Sequence, residues 1–120
     1  MGYKINGTTI TLTRGDTFKA TIGMVNESDG SPYIPQQGDS VRFAVKHEEY
    51  VGCRYTELKD AQPLILKEIP LDTLLLHLNP EDTKPLGFGS YLYDIELTMA
   101  DGTVTTFIQD AKFILTTEVH

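Results

Sequence analysis

The chain has 120 residues, 40% of them apolar and 22% charged, and a formal net charge of −7. That length suits one domain spanning 1–120 around one core, and the composition excludes an intrinsically disordered chain. The acidic balance repels phosphate backbones, so nucleic acid is not an expected partner.

The start, Met1-Gly2-Tyr3-Lys4-Ile5-Asn6-Gly7, has no apolar run of the kind a signal peptide needs, and none is predicted. No apolar stretch reaches the length of a membrane span, so no membrane partner is expected. The lone cysteine, Cys53, cannot form an internal disulfide.

Period-two alternation recurs along the chain and helical periodicity is nearly absent. Thr8–Thr13 places Ile10 and Leu12 on one face, and Arg14-Gly15-Asp16 then turns the chain. The next run puts Phe18, Ala20, Ile22 and Met24 inward and ends in the turn formers Asn26 to Pro32. In Val41–Lys46, Val41, Phe43 and Val45 are predicted core, with Arg42 and Lys46 facing water. Residues 47–62 break the pattern and are expected to form a long loop, or a loop with an extra edge strand or a helical turn.

Two short runs follow, Leu64–Leu66 and Leu74–Leu78. Ser90–Thr98 places Tyr91, Tyr93, Ile95 and Leu97 on one face; Asp101-Gly102 is a hairpin turn. The last run, roughly Val104–Thr116, carries Phe107, Ala111, Phe113 and Leu115 on one face, with a bulge expected near Phe107–Asp110.

About seven antiparallel strands with turn-rich connections predict an all-β fold, an immunoglobulin-like β-sandwich. Leu78-Asn79-Pro80-Glu81-Asp82-Thr83 reads as a capped helical turn between two strands. Gly89-Ser90-Tyr91 then opens the next strand. This is the layout of a tyrosine corner, in which the Tyr91 hydroxyl bonds a backbone group a few residues upstream. The third and sixth strands of such a sandwich are neighbours. Arg42 and Lys46 are therefore expected to meet Asp94 and Glu96 on a shared outer face.

Catalytic, cofactor and metal sites are all predicted to be absent, and the chain is not expected to be an enzyme. His47-Glu48-Glu49 with Cys53 falls short of a four-ligand zinc set. Glu81 and Asp82 suit the positive end of a helical turn better than acid–base work. Arg14-Gly15-Asp16 matches the cell-adhesion tripeptide, but three residues recur by chance, and its glycine and aspartate are expected to make a turn between strands. No nucleophile elbow or phosphate-binding glycine loop is present.

Two binding features remain. If Leu64 and Leu66 face the core and the 64–66 and 74–78 strands pair, Ile65 and Leu75 meet on the outer face as an apolar assembly patch. The competing expectation is that the 47–62 loop covers this patch. Tyr50 and Tyr55 in that loop are a candidate platform for a sugar or other surface ligand, or else pack the loop onto the sandwich.

Several segments carry a resemblance: Gly15-Asp16-Thr17-Phe18, Asp29-Gly30-Ser31-Pro32-Tyr33, Gly38-Asp39-Ser40-Val41-Arg42-Phe43, Leu66-Lys67-Glu68-Ile69, Asn79-Pro80-Glu81-Asp82-Thr83, Tyr91-Leu92-Tyr93-Asp94-Ile95 and Asp101-Gly102-Thr103-Val104. In this order they resemble small prophage-encoded proteins of gut Firmicutes and the amino-terminal immunoglobulin-like domain of phage baseplate upper proteins. The resemblance covers most of the chain except residues 47–62. It implies a non-enzymatic structural module of a phage or prophage tail, bound to other phage structural proteins or to itself as a homo-oligomer. It also implies a virion component assembled in the bacterial cytoplasm. The alternative is a carbohydrate or cell-surface binding module using the 47–62 loop.

Overall fold

A computed structural model describes residues 3–6, 8–23, 30–53 and 63–117, the first four by backbone only. The fold is all-β, with eight strands: β1 (Tyr3–Asn6), β2 (Thr9–Thr13), β3 (Phe18–Thr21), β4 (Ser40–Lys46), β5 (Ile65–Ile69), β6 (Leu75–Leu78), β7 (Gly89–Thr98) and β8 (Val104–Thr116). A 3-10 turn occupies Glu48–Tyr50, and one helical turn, α1, spans Pro80–Thr83.

Six strands form a curled mixed sheet in the order β1-β2-β8-β7-β4-β5, and β3 and β6 form a second, two-stranded sheet. Every pairing is antiparallel except β2 with β8, which is parallel. The expectation of purely antiparallel strands is corrected at that pair. β2 pairs with β1 on one edge, and since β3 follows in the other sheet, its second edge is taken by β8 from the far end of the chain.

The core lies between the two sheets. It is built from Ile10 and Leu12, Phe18, Val41, Phe43 and Val45, Leu76 and Leu78, the alternate residues Tyr91 to Leu97, and Phe113 and Leu115. Phe43, Tyr93 and Phe113 form its aromatic centre, with ring centroids 5.3–6.5 Å apart. These are the faces that alternation predicts. Met24 and the turn at Asn26–Asp29 lie outside the described residues.

Two expectations about the 64–78 region are corrected. Ile65 is only 4% exposed and belongs to the core, whereas Leu66 is 48% exposed. The register explains it: Ile65 lies opposite Val45 and Ile69 opposite Val41, so the face is set by Ile65 and Ile69 rather than by Leu64 and Leu66. A one-residue slip in a strand exchanges its two faces. The two runs are also not paired with each other, since β5 bonds to β4 and β6 to β3. Leu75 is partly buried on the outer side of β6, in the other sheet, and cannot meet Ile65 on a common outer face.

Where the chain crosses from the small sheet to the large one, its path is pinned. The Asp82 carboxylate reaches back to accept the Asn79 N–H at 2.7 Å and also pairs with Lys67 at 3.0 Å. The expected Tyr91 hydrogen bond is present: its hydroxyl donates to the Gly87 carbonyl at 2.7 Å. Arg14 is part of the same corner. Its guanidinium donates to the Leu86 carbonyl at 3.2 Å and lies 4.5 Å from the centre of the Phe88 ring. Beside it, the Gly15 N–H donates to the buried Thr83 hydroxyl at 2.9 Å. Arg14-Gly15-Asp16 is thus a turn whose arginine is committed to the fold.

Candidate functional site

The described residue cluster with the densest chemistry is Lys46, Asp94 and Asp110. Lys46 ends β4 and Asp94 sits in mid-β7. The strands are antiparallel neighbours with Ala44 opposite Asp94 and Lys46 opposite Leu92, so Lys46 and Asp94 are diagonal partners on one face. Asp110 arrives through a bulge in β8. Tyr93 lies opposite Ala111 while Ile95 lies opposite Ile108, so Gln109 and Asp110 together oppose the single residue Asp94, one residue more than regular pairing takes. Asp110 adopts φ 56°, a left-handed conformation that aspartate tolerates better than most residues.

The Lys46 ammonium has three acceptors for its three protons: Asp94 Oδ2 at 3.1 Å, Asp110 Oδ1 at 2.6 Å and the Cys53 carbonyl at 2.6 Å. The Lys46 side chain is 1% exposed and that of Asp94 3%. The Asp110 backbone N–H donates to Asp94 Oδ1 at 2.8 Å, and the Gly52 N–H donates to the Asp110 carboxylate at 3.0 Å. Burial works against the lysine charge, but hydrogen bonds and attraction from Asp110 and Asp94 outweigh it and raise the Lys46 pKa.

This corrects the expectation that Lys46, Asp94 and Glu96 face water: all three are buried. The strand pairing itself is as expected, with Arg42 opposite Glu96. The chain after β4 folds back over this face, and Gly52 and Cys53 contribute the covering hydrogen bonds. Ala44 and Leu92 share the face, and these apolar residues between the charges are the sequence signal of its burial. Nothing in the sequence marked Asp110 beyond the expected bulge.

The remaining sequence candidates are dispersed. Tyr50 is half-buried in the 3-10 turn, and Tyr55 lies outside the described residues, as does most of the 47–62 loop. His47 is exposed and stacks near Tyr91, centroids 5.7 Å apart. His77 points outward from β6. Among the described residues no three His, Cys, Asp or Glu side chains are placed to hold a metal ion. No described helix is long and apolar enough to cross a membrane.

A cavity of about 160 Å³ opens between the sheets, bounded by Ile10 and Phe18, Leu76, Tyr93, Ile95 and Ile108 among others. Tyr93 is its one titratable lining side chain among the described residues. The Tyr93 hydroxyl donates to the Thr8 carbonyl. Burial pushes its pKa up to about 12.

The chain matches no protein-family model, no curated protein and no solved structure.

Proposed function

We propose that this chain is a non-enzymatic structural module of a phage or prophage tail, built as an immunoglobulin-like sandwich and acting through protein–protein contacts. The strand order supports the sandwich reading. β8-β7-β4-β5 in one sheet and β3-β6 in the other correspond to the G-F-C-C′ and B-E neighbours of a variable-type immunoglobulin domain.

The observation that carries the assembly reading is the edge at β5, open among the described residues. No described strand hydrogen-bonds to its outer side, and Leu66 stands 48% exposed there. An edge strand with one side open and an apolar side chain is a template for pairing with another chain. Among the described residues, Lys46, Asp94 and Asp110 satisfy one another's charges.

Two measurements test the reading. Purified tail particles from the encoding strain, digested and analysed by mass spectrometry, should contain this chain in fixed proportion to the tail proteins. Light scattering across a concentration range should show association of the chain with itself or with a purified tail protein, weakened by Leu66→Asp. Absence from the particles rejects the tail assignment, and association indifferent to Leu66→Asp rejects the β5 edge as the contact.

A further inference from the structure

We propose that the Lys46 amine and the Asp94 carboxyl carbon join in an intramolecular amide, a self-formed covalent bridge between β4 and β7. The geometry supplies each part such a condensation needs. The nucleophile and the acid are already in contact, with Nζ 3.1 Å from Asp94 Oδ2. Holding reactants at this distance removes most of the entropic barrier to their union. Asp94 Oδ1, where negative charge develops when the carboxyl carbon is attacked, already accepts the Asp110 N–H at 2.8 Å. A base stands beside the nitrogen, since Asp110 Oδ1 lies 2.6 Å from Nζ.

One residue thus provides both the backbone donor and the carboxylate, and it does so from a bulge with φ 56°. Left-handed conformations in residues other than glycine concentrate at functional positions. The two reacting side chains are 1% and 3% exposed, and the Cys53 carbonyl accepts a further hydrogen bond from Nζ at 2.6 Å. Few water molecules can reach the carboxyl to reverse a condensation there.

The step balances without a co-reactant. The ammonium passes one proton to Asp94 Oδ2, leaving an amine and a carboxylic acid. The amine lone pair forms the N–C bond, and Oδ1 takes the negative charge, held by the Asp110 N–H. The Asp110 carboxylate accepts a proton from the nitrogen and delivers it to the Oδ2 hydroxyl. The C–O bond then breaks, one water leaves, and Asp110 returns to its starting state. Nothing is oxidised or reduced.

The test is the intact mass of the purified full chain, followed by peptide mapping. The expected mass is lower than the sequence mass by one water, and digestion should yield a branched peptide joining Lys46 to Asp94. Lys46→Arg and Asp110→Asn should both have the full sequence mass; the second keeps the Asp110 N–H and an acceptor for Gly52. A full mass for the unsubstituted chain after prolonged incubation at neutral pH overturns the proposal and leaves an ion pair. A lost water that maps to a succinimide at Asp101-Gly102 or Asp29-Gly30 overturns it as well. A cross-link that persists in Asp110→Asn overturns the role of Asp110 as base.

Discussion

Replacing Tyr93 with Phe should change how stability depends on alkaline pH, and the structure gives the size of the change. Tyr93 is 3% exposed, and burial raises its pKa from 10.0 to about 12. In the unfolded chain the phenol ionises near its ordinary value, so above about pH 10 the unfolded state binds fewer protons than the folded one. Stability therefore falls as pH rises through this window and levels once the folded group also ionises. The difference corresponds to about 2–3 kcal/mol across the window. Lys46 acts in the same direction, because its raised pKa contributes stability that is lost as pH rises through it. Tyr33, also pushed up to about 12, first by its hydrogen bond to Asp39, adds to the same limb. Only the Tyr93 share disappears in the variant. At neutral pH, Tyr93→Phe forfeits the bond to the Thr8 carbonyl, a cost of about 1 kcal/mol. Urea unfolding of both proteins at steps from about pH 8 to about pH 12 should show two curves that converge and then cross, because the loss of about 2–3 kcal/mol exceeds the starting advantage of about 1 kcal/mol and leaves Tyr93→Phe the more stable at the alkaline end. Curves that stay parallel throughout would refute the burial argument.

Other substitutions check separate parts of the fold. Ile65→Asp should cost more than about 3 kcal/mol by placing a charge in the core, while Leu66→Asp one residue on should change stability by less than about 1 kcal/mol; thermal melts of the two distinguish the observed register from the slipped one. Tyr91→Phe removes the bond to Gly87, and since Gly87 is exposed and its carbonyl can turn to water, the loss should be about 1 kcal/mol, or about 4 °C in Tm. Gly38→Ala should be destabilising by about 1–3 kcal/mol, because φ is +94° and the new Cβ would sit 2.7 Å from that of Ala100. Adding Ala100→Gly should recover the steric share and leave the backbone share, as chemical denaturation of the double variant would read.

Sequence alone determined the inward faces of most strands, the helical turn after Asn79 and the Tyr91 bond. The first follows from period-two patterning and the other two from short-range chemistry: Asn79, Pro80 and Asp82 act within one turn, and Tyr91 reaches back four residues. The bulge at Asp110 was also legible, because adjacent apolar residues followed by polar ones interrupt the alternation of β8. Tertiary structure decided what local pattern leaves open. In β5 the run Leu64-Ile65-Leu66 fits either face, and only pairing with Val45 and Val41 on β4 selects Ile65 and Ile69. The burial of Lys46 and Asp94 had the same origin. Alternation puts them on the face away from the core, but it cannot say whether another stretch of chain will cover that face. The backbone of Gly52 and Cys53 does so, and an expected surface ion pair becomes an enclosed three-residue cluster completed by Asp110 from a distant strand.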